Sequence, residues 1–274
     1  MTKKKKRMLT LVCLLLAAVW ILWGNTALEV NEYRIGSDRI PDSFSGFRIA
    51  HISDLHNAEF GEGNGKLLAM IAESAPDIIV ITGDLVDSRN TDIDIALEFI
   101  RGAVEIAPVY YVTGNHEARI SDYGILRDGL SQAGATVLRD EKLGLERAGE
   151  TITLMGMNDP SFQYRSPLEI LDGMTEADDG YTVLLCHRPE LFDTYAAQGI
   201  DLVFTGHAHG GQFRLPFVGG LIAPHQGLFP TYDAGLYTKG HTNMLVSRGI
   251  GNSLCPIRFN NRSEIIVVEL KHTN

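Results

Sequence analysis

His207 and His209 stand one residue apart just past the apolar residues 202–204, between Gly206 and the pair Gly210 and Gly211. An apolar run that stops at glycine reads as a buried strand entering a tight turn. Residues two apart in an extended segment point the same way, so two imidazoles are presented together, as metal binding requires. Taken alone, H-x-H fits two polar loop histidines equally well. Four other apolar runs end in the same kind of residue. Residues 47–52 lead to Asp54 and His56, 78–82 to Asp84, 108–112 to Asn115 and His116, and 181–186 to His187. Each has an ordinary alternative: a helix cap for Asp54 or Asp84, a turn for Asn115, a surface position for His187. Together they place carboxylates and imidazoles off the carboxyl ends of strands, where open α/β sheets bind ligands. That mixture of ligands suits Mn, Zn or Fe better than Ca or Cu(I).

The elements that must carry these residues alternate. Residues 64–75 and 93–103 have helical spacing and sit between the first three apolar strands. Strand then helix, three times over, predicts a parallel sheet covered on both faces. Residues 122–133 read as a helix. The runs 136–139, 142–147 and 151–157 read as an antiparallel meander. A short helix is expected at 167–174 and another at 189–197, with Pro189 near its start. Residues 210–240 are rich in glycine and loop-like, and 243–248 and 265–270 read as closing strands.

The set D-L-H, G-D, G-N-H-E, a lone histidine after an apolar strand, and G-H-A-H resembles the calcineurin-like metallophosphoesterases, in order, over residues 47–212. The resemblance implies an α/β (α+β) fold: a four-layer α/β/β/α sandwich with two divalent ions at the C-terminal strand ends. It implies that Asp54, His56, Asp84 and His209 hold one ion. Asp84 bridges to the second, which Asn115, His187 and His207 complete. His116 is then no ligand but a catalytic residue facing the leaving group, with Asp84 as the other catalytic residue. Two ions about 3.5–4 Å apart clamp the attacking and leaving oxygens of an in-line displacement. The expected nucleophile is a hydroxide shared by the ions, so no phosphoenzyme is expected. His116 can stabilise the pentavalent phosphorus or protonate the departing oxygen. Leu85, Val86 and Asp87 follow Asp84, where the purple acid branch carries a metal-bound tyrosine, so a purple site is not expected.

Beyond residue 212, the segments GGQFRLP, GLFPTYDAGLYTKG, SRGIGNS and PIRFNNRSEI are similar to the membrane-associated bacterial YkuE/YaeI-like phosphodiesterase branch. Some of its members resemble enzymes that split UDP-diacylglucosamine, which makes a pyrophosphatase of that type the alternative reading. Arg248, Asn252 and Arg258 are candidate substrate contacts, because arginine forks fit phosphate. Hydrogen bonds that stabilise a loop are the competing reading. Asp159, after a meander strand, reads as a turn former, with contact to the site as the alternative. Glu117 reads as a support beside the ligands or a helix start. His225 and His241 receive no function.

Charge is unevenly placed. Lys3 to Lys6 and Arg7 form a basic run, and residues 1–30 otherwise contain one charged residue, Glu29. The remainder keeps 19 basic against 33 acidic residues, net −14, which argues against binding long nucleic acid. Residues 8–23 are apolar except Thr10, and the basic run before them predicts a cytoplasmic N-terminus with the body exported. Sixteen residues span about 24 Å, short of a ~30 Å hydrocarbon core; snorkelling lysines with Trp20 and Trp23 make up the difference. No small-x-small site follows Trp23, which favours a signal-anchor over a cleaved signal peptide. The expected division is residues 1–30 as anchor, 31–46 as connector and 47–274 as catalytic domain. Cys13, Cys186 and Cys255 are too few and too scattered for a disulfide framework.

The leading expectation is thus a membrane-anchored, extracytoplasmic phosphodiesterase. Its expected substrate is phosphorylated and small, lipid-linked or part of the cell wall. Amidohydrolases also use two metals but open with H-x-H on the first of eight βα repeats, which are not seen here. A non-catalytic metal-binding scaffold on the same fold would be expected to have lost a ligand or His116, and all are present.

Overall fold

The apolar runs are strands because alternate side chains leave water on opposite faces. In residues 78–82, Ile78 and Val80 face one apolar cluster, Ile79 and Ile81 another. The computed structural model describes residues 2–162, 165–176, 179–252 and 255–273. In chain order come helix α1 (Lys3–Thr26), strands β1 (Leu28–Ser37) and β2 (Arg48–Ile52), α2 (Gly65–Glu73), β3 (Ile78–Thr82), α3 (Ile93–Val104), β4 (Val109–Val112), α4 (Tyr123–Gln132) and β5 (Thr136–Val137). Next are β6 (Glu141–Arg147), β7 (Glu150–Gly156), α5 (Pro167–Thr175), β8 (Thr182–Leu185), α6 (Phe192–Ala197) and β9 (Leu202–Thr205). Two short hairpins follow, β10 (Arg214–Leu215) with β11 (Gly219–Gly220) and β12 (Ile222–Ala223) with β13 (Gly227–Leu228). The chain closes with β14 (Gly235–Lys239), β15 (Thr242–Val246) and β16 (Ser263–His272).

Two six-stranded sheets result, ordered β1-β16-β2-β3-β4-β5 and β14-β15-β9-β8-β7-β6. Strands β2 to β5 are parallel, as are β7, β8, β9 and β15. The sheets face each other across Ile49, Val80, Val112, Leu154, Val183, Phe204 and Leu245. Helices α2, α3 and α4 cover the first sheet through Leu67, Ile71, Phe99, Ile100 and Leu126. Helices α5 and α6 cover the second through Leu171, Met174, Phe192 and Tyr195. These are the four layers that the resemblance implied.

Three details differ from the sequence reading. Residues 136–139 do not join a meander: Thr136–Val137 pairs parallel with β4 and ends the first sheet, while β6 and β7 form the antiparallel hairpin. Tertiary pairing decides this, since a two-residue strand has no pattern of its own. The closing strands part company, β15 joining the second sheet and β16 returning to the first. The third concerns the N-terminus. Helix α1 extends past the apolar run at both ends, and its 24 residues give a length of about 36 Å, enough for a ~30 Å hydrocarbon core. Only Gly24 on it is buried. The extended residues 28–35 inside and before the expected connector lie within β1, which pairs along its whole length with β16. One residue, Ala27, separates α1 from β1.

Phe204 is fully buried between the sheets, its ring edge-on to His51 at 5.0 Å. Phe204→Ala is expected to cost about 3–5 kcal/mol, read as a lower denaturant midpoint at unchanged slope. A chain starting at Ala27 is expected to unfold only slightly below the full protein, because no residue before Leu28 belongs to the described core clusters and the loss is confined to the contacts of Asn25 and Trp23 with Arg258 and Arg262. A chain starting at Asp38 loses β1 and should melt markedly lower. Equal midpoints for the two truncations would place β1 outside the cooperative unit.

Candidate metal centre

The turns beyond the strand ends are laced to one another. Past β2, the Asp54 and His56 amides donate to the carbonyls of Gly83 and Asp84, each at 3.0 Å. Gly83 has φ +85°, and a Cβ there would lie 2.2 Å from the Gly114 nitrogen in the turn after β4. At Gly206, past β9, a Cβ would lie 1.9 Å from Ser53 Oγ. Only glycine lets these turns approach so closely. Asp54, His56, Asp84, His207 and His209 all have positive φ, between 47° and 66°. For residues with a Cβ this conformation costs about 1–2 kcal/mol each. The two sheets behind the rim hold them there, and strain of this kind gathers at functional sites.

Among the described residues four groups of ligand-type side chains gather, and two of them, both buried, consist entirely of the expected ligands. In one, His56 Nε2 lies 3.7 Å from Asp54 Oδ1 and 3.3 Å from His209 Nε2, and His209 Nε2 lies 3.4 Å from Asp54 Oδ1. In the other, His187 Nε2 lies 3.3 Å from Asp84 Oδ2 and 3.2 Å from His207 Nδ1. Asp84 Oδ2 is also 3.5 Å from His56 Nε2, so one oxygen reaches both clusters. Donors at 2.0–2.2 Å from a shared cation sit roughly 3–3.6 Å apart, the spacing seen here. Asn115 supplies an independent sign: its buried Oδ1 has no hydrogen-bond partner, and the residue lines the same cavity of about 140 Å³. An orphaned acceptor among imidazoles fits a cation, and the donor set as a whole fits a pair of divalent metals.

Hydrogen bonds set the tautomers. His187 Nδ1 lies 2.6 Å from the Thr82 carbonyl, so it carries a proton, and Nε2 is the ring nitrogen left facing Asp84 Oδ2. His116 is the reverse. Its Nδ1 accepts from the Ser88 amide at 2.9 Å, so neutral His116 carries its proton on Nε2, 4.0 Å from Asp84 Oδ2. Burial depresses the pKa of His116 against the pull of Asp84, which keeps the ring neutral near pH 7. Burial alone would raise Asp54 and Asp84, but the surrounding imidazoles hold both well below the usual carboxylate range. Conversely, the two carboxylates overcome burial at His187 and push it up to about 10, whereas burial takes His209 down to about 3. Asp84 Oδ1 accepts the His116 amide at 2.8 Å, and the Asp54 carboxylate accepts the His207 amide at 3.1 Å.

Glu117 is fully buried and supports the site from behind, accepting the amides of Asp84, Leu85 and Gly114 at 2.9, 2.8 and 2.7 Å. Burial and the nearby Asp84 push its carboxyl up to about 7. It also begins a short 3-10 turn, so both expectations for Glu117 describe it. Asp159 does form a turn, accepting the Ser161 amide at 2.8 Å, and it also pairs with buried Arg188 at 2.5 and 2.9 Å. Arg188 reaches His207 Nε2 at 2.9 Å and His225 Nδ1 at 2.8 Å. The sequence reading passed over Arg188, Ser88 and His225; only the adjacency of Arg188 to His187 was a signal. His241 lies elsewhere, against the Gly199 carbonyl at 3.0 Å.

Arg248, Asn252 and Arg258 have a different occupation from the one first considered. Arg258 is buried and gives its guanidinium to Asn252 Oδ1 and to the carbonyls of Arg248 and Gly251. Its backbone holds Asn25 at the end of α1, with the Arg258 amide donating to Asn25 Oδ1 at 2.9 Å. Arg248 pairs with Glu264 and Glu29. None of the three lines the cavity among the described residues. These internal hydrogen bonds and ion pairs agree with the loop-stabilising alternative.

Residues 47–211 match the family model for calcineurin-like phosphoesterases. The chain is 31% identical to the metallophosphoesterase YkuE of Bacillus subtilis, over 90% of this chain and 87% of that one. It is 30% identical to the phosphodiesterase YaeI of Escherichia coli, over 84% of each. A transmembrane protein with metallophosphoesterase domain from Danio rerio is 30% identical over 96% of this chain, which spans 62% of that longer protein. Among solved structures, the phosphopantetheinyl hydrolase PptH of Mycobacterium tuberculosis shares the fold at a TM-score of 0.50 and 13% identity, covering 77% of this chain and 90% of that one. The conjunction of motif order, two facing sheets and paired ligand clusters places the chain in the calcineurin-like phosphoesterase family, as a metal-dependent phosphoric ester hydrolase.

Proposed function

We propose that this chain is a dinuclear-metal phosphodiesterase held at the outer face of a membrane by α1. The observation that carries the catalytic reading is the single oxygen, Asp84 Oδ2, within 3.5 Å of one imidazole in each cluster. Asp54, His56, Asp84 and His209 would hold one ion, and Asp84, Asn115, His187 and His207 the other. Divalent Mn, Zn or Fe bound there supplies Lewis acidity to the phosphoryl oxygens and lowers the pKa of water to the neutral range. The protein's own groups do the rest. Asp54 and Asp84 are fixed by backbone amides and offset cation charge, so neither is needed as a nucleophile. His116 presents its Nε2–H to the cavity, where it can hydrogen-bond the departing oxygen and stabilise the charge that develops there. Arg188, anchored by Asp159, keeps the His207 ring in place.

The membrane reading rests on α1, which is long enough to span and exposes its apolar side chains. The basic run at its start puts the N-terminus inside and the acidic body outside. Phosphodiesters or diphosphates carried at a membrane, on lipids or wall precursors, are the substrate class that suits this position. An acidic body repels long nucleic acid.

The full chain in detergent is expected to hydrolyse bis(p-nitrophenyl) phosphate with added Mn²⁺, and EDTA to abolish the activity. Asp84→Asn should lose most bound metal, measured by elemental analysis, and at least ~10²-fold in rate. His116→Gln should retain its metal and lose about 10²–10⁴-fold in kcat. An emptied centre in His116→Gln would refute the assignment of His116 as a non-ligand facing the leaving group.

A further inference from the structure

Apart from α1, six of the eleven large exposed apolar side chains among the described residues fall within residues 215–229. Leu215, Phe217, Val218, Ile222 and Leu228 lie on the two hairpins β10–β11 and β12–β13 or their turns, Phe229 directly follows β13, and Phe217 is fully exposed. In a body with net charge −14 beyond residue 30, residues 213–230 contain no Asp or Glu. Exposed apolar patches of this density mark an interaction surface. These side chains are held outward by a bonded frame. The Leu221 amide donates to Gly211 and Phe213, the Phe229 amide to Leu221, and Asp233 takes the amide of Gly220 and the guanidinium of Arg214.

The position of the patch identifies what covers it. Arg258, which holds Asn25 at the end of α1, precedes Phe259, and Phe259 bridges to Phe213 at the base of the first hairpin. Arg262 stacks over Trp23 of α1 at 4.8 Å. With Ala27 alone between α1 and β1, and Glu29 paired to both Arg248 and Arg262, the body cannot swing away from the helix. The hairpins therefore stand close to the point where α1 leaves the bilayer. We infer that residues 214–229 are a second membrane contact, seating Phe217, Val218, Leu228 and Phe229 in the lipid face from which α1 emerges. This rests on the reading of α1 as a membrane span. Its consequence concerns the site. Pro224 and His225, in the turn of β12–β13, line the metal-centre cavity beside His207 and His209. The cavity mouth is thereby held at the level of the lipid headgroups, where an amphiphilic phosphoester presents its polar end.

The test uses the full chain in phosphatidylcholine–phosphatidylglycerol vesicles. In a Cys13→Ser, Cys255→Ser background, an environment-sensitive NBD label is placed by Phe217→Cys, Phe229→Cys, Leu15→Cys in α1, or Ile125→Cys on α4 as the solvent control. Buried Cys186 stays. The expected result is several-fold stronger quenching by nitroxide lipids at 217 and 229 than at 125, with protection from aqueous iodide. If 15 is quenched by lipid while 217 and 229 behave like 125, the second contact is refuted and the anchor stands. Labels at 217 and 229 shielded from both quenchers would mean that protein covers the patch, which also refutes it. Failure at 15 as well would remove the anchor and this inference together. Bis(p-nitrophenyl) phosphate hydrolysis on the same samples reports folding and the catalytic reading separately, because no labelled position touches the centre.

Discussion

Two buried carboxylates at the ends of neighbouring strands set the terms for this structure. Asp54 and Asp84 have almost no solvent contact. Removing an ion from water costs several kcal/mol unless good partners replace it. No single neighbouring segment offers enough of them. His56, His187, His207 and His209 arrive from three different turns, and the His116 and His207 amides add hydrogen bonds. Charge satisfaction at one rim thus demands that segments some 150 residues apart in sequence meet, and the two sheets are the means of bringing them there. The same concentration of negative charge and lone pairs is what receives cations in the proposed function.

Such a rim works only if it is stiff. The turns cross so closely that Gly83 and Gly206 have no room for a side chain, and five chemistry-bearing residues sit at positive φ. Glu117 locks two of these turns by collecting three amides on one carboxylate. Behind them lies a close-packed apolar core between the sheets, which changes shape only at high cost. Local strain at the front is tolerated because the layers at the back leave it no alternative.

The N-terminal helix and the body behave as one object. A hinge needs free chain, and a single residue, Ala27, lies between α1 and the edge strand β1. Arg258, Asn25 and Glu29 fasten that corner with hydrogen bonds and ion pairs. Residues that resemble phosphate-binding arginines in a sequence are here part of the fastening. In the proposed function, this fastening would tie the orientation of the body to that of α1.

Much of the centre was legible in the order of residues. Apolar runs ending in Asp54, Asp84, Asn115, His187 and His207 announced strands, their polarity and the edge on which chemistry collects, because pattern and turn chemistry are local properties. The helices between them were legible for the same reason. Sequence alone did not assign β5 to its sheet, return β16 to the first sheet, or make an edge strand of residues 28–37, since pairing partners are chosen by distant surface that must be buried. Nor did it separate an arginine that meets solvent from one such as Arg258 that is consumed by carbonyls, or find Arg188 and Ser88 orienting His207 and His116. Those distinctions depend on which polar groups lose water together, and only the folded chain decides that.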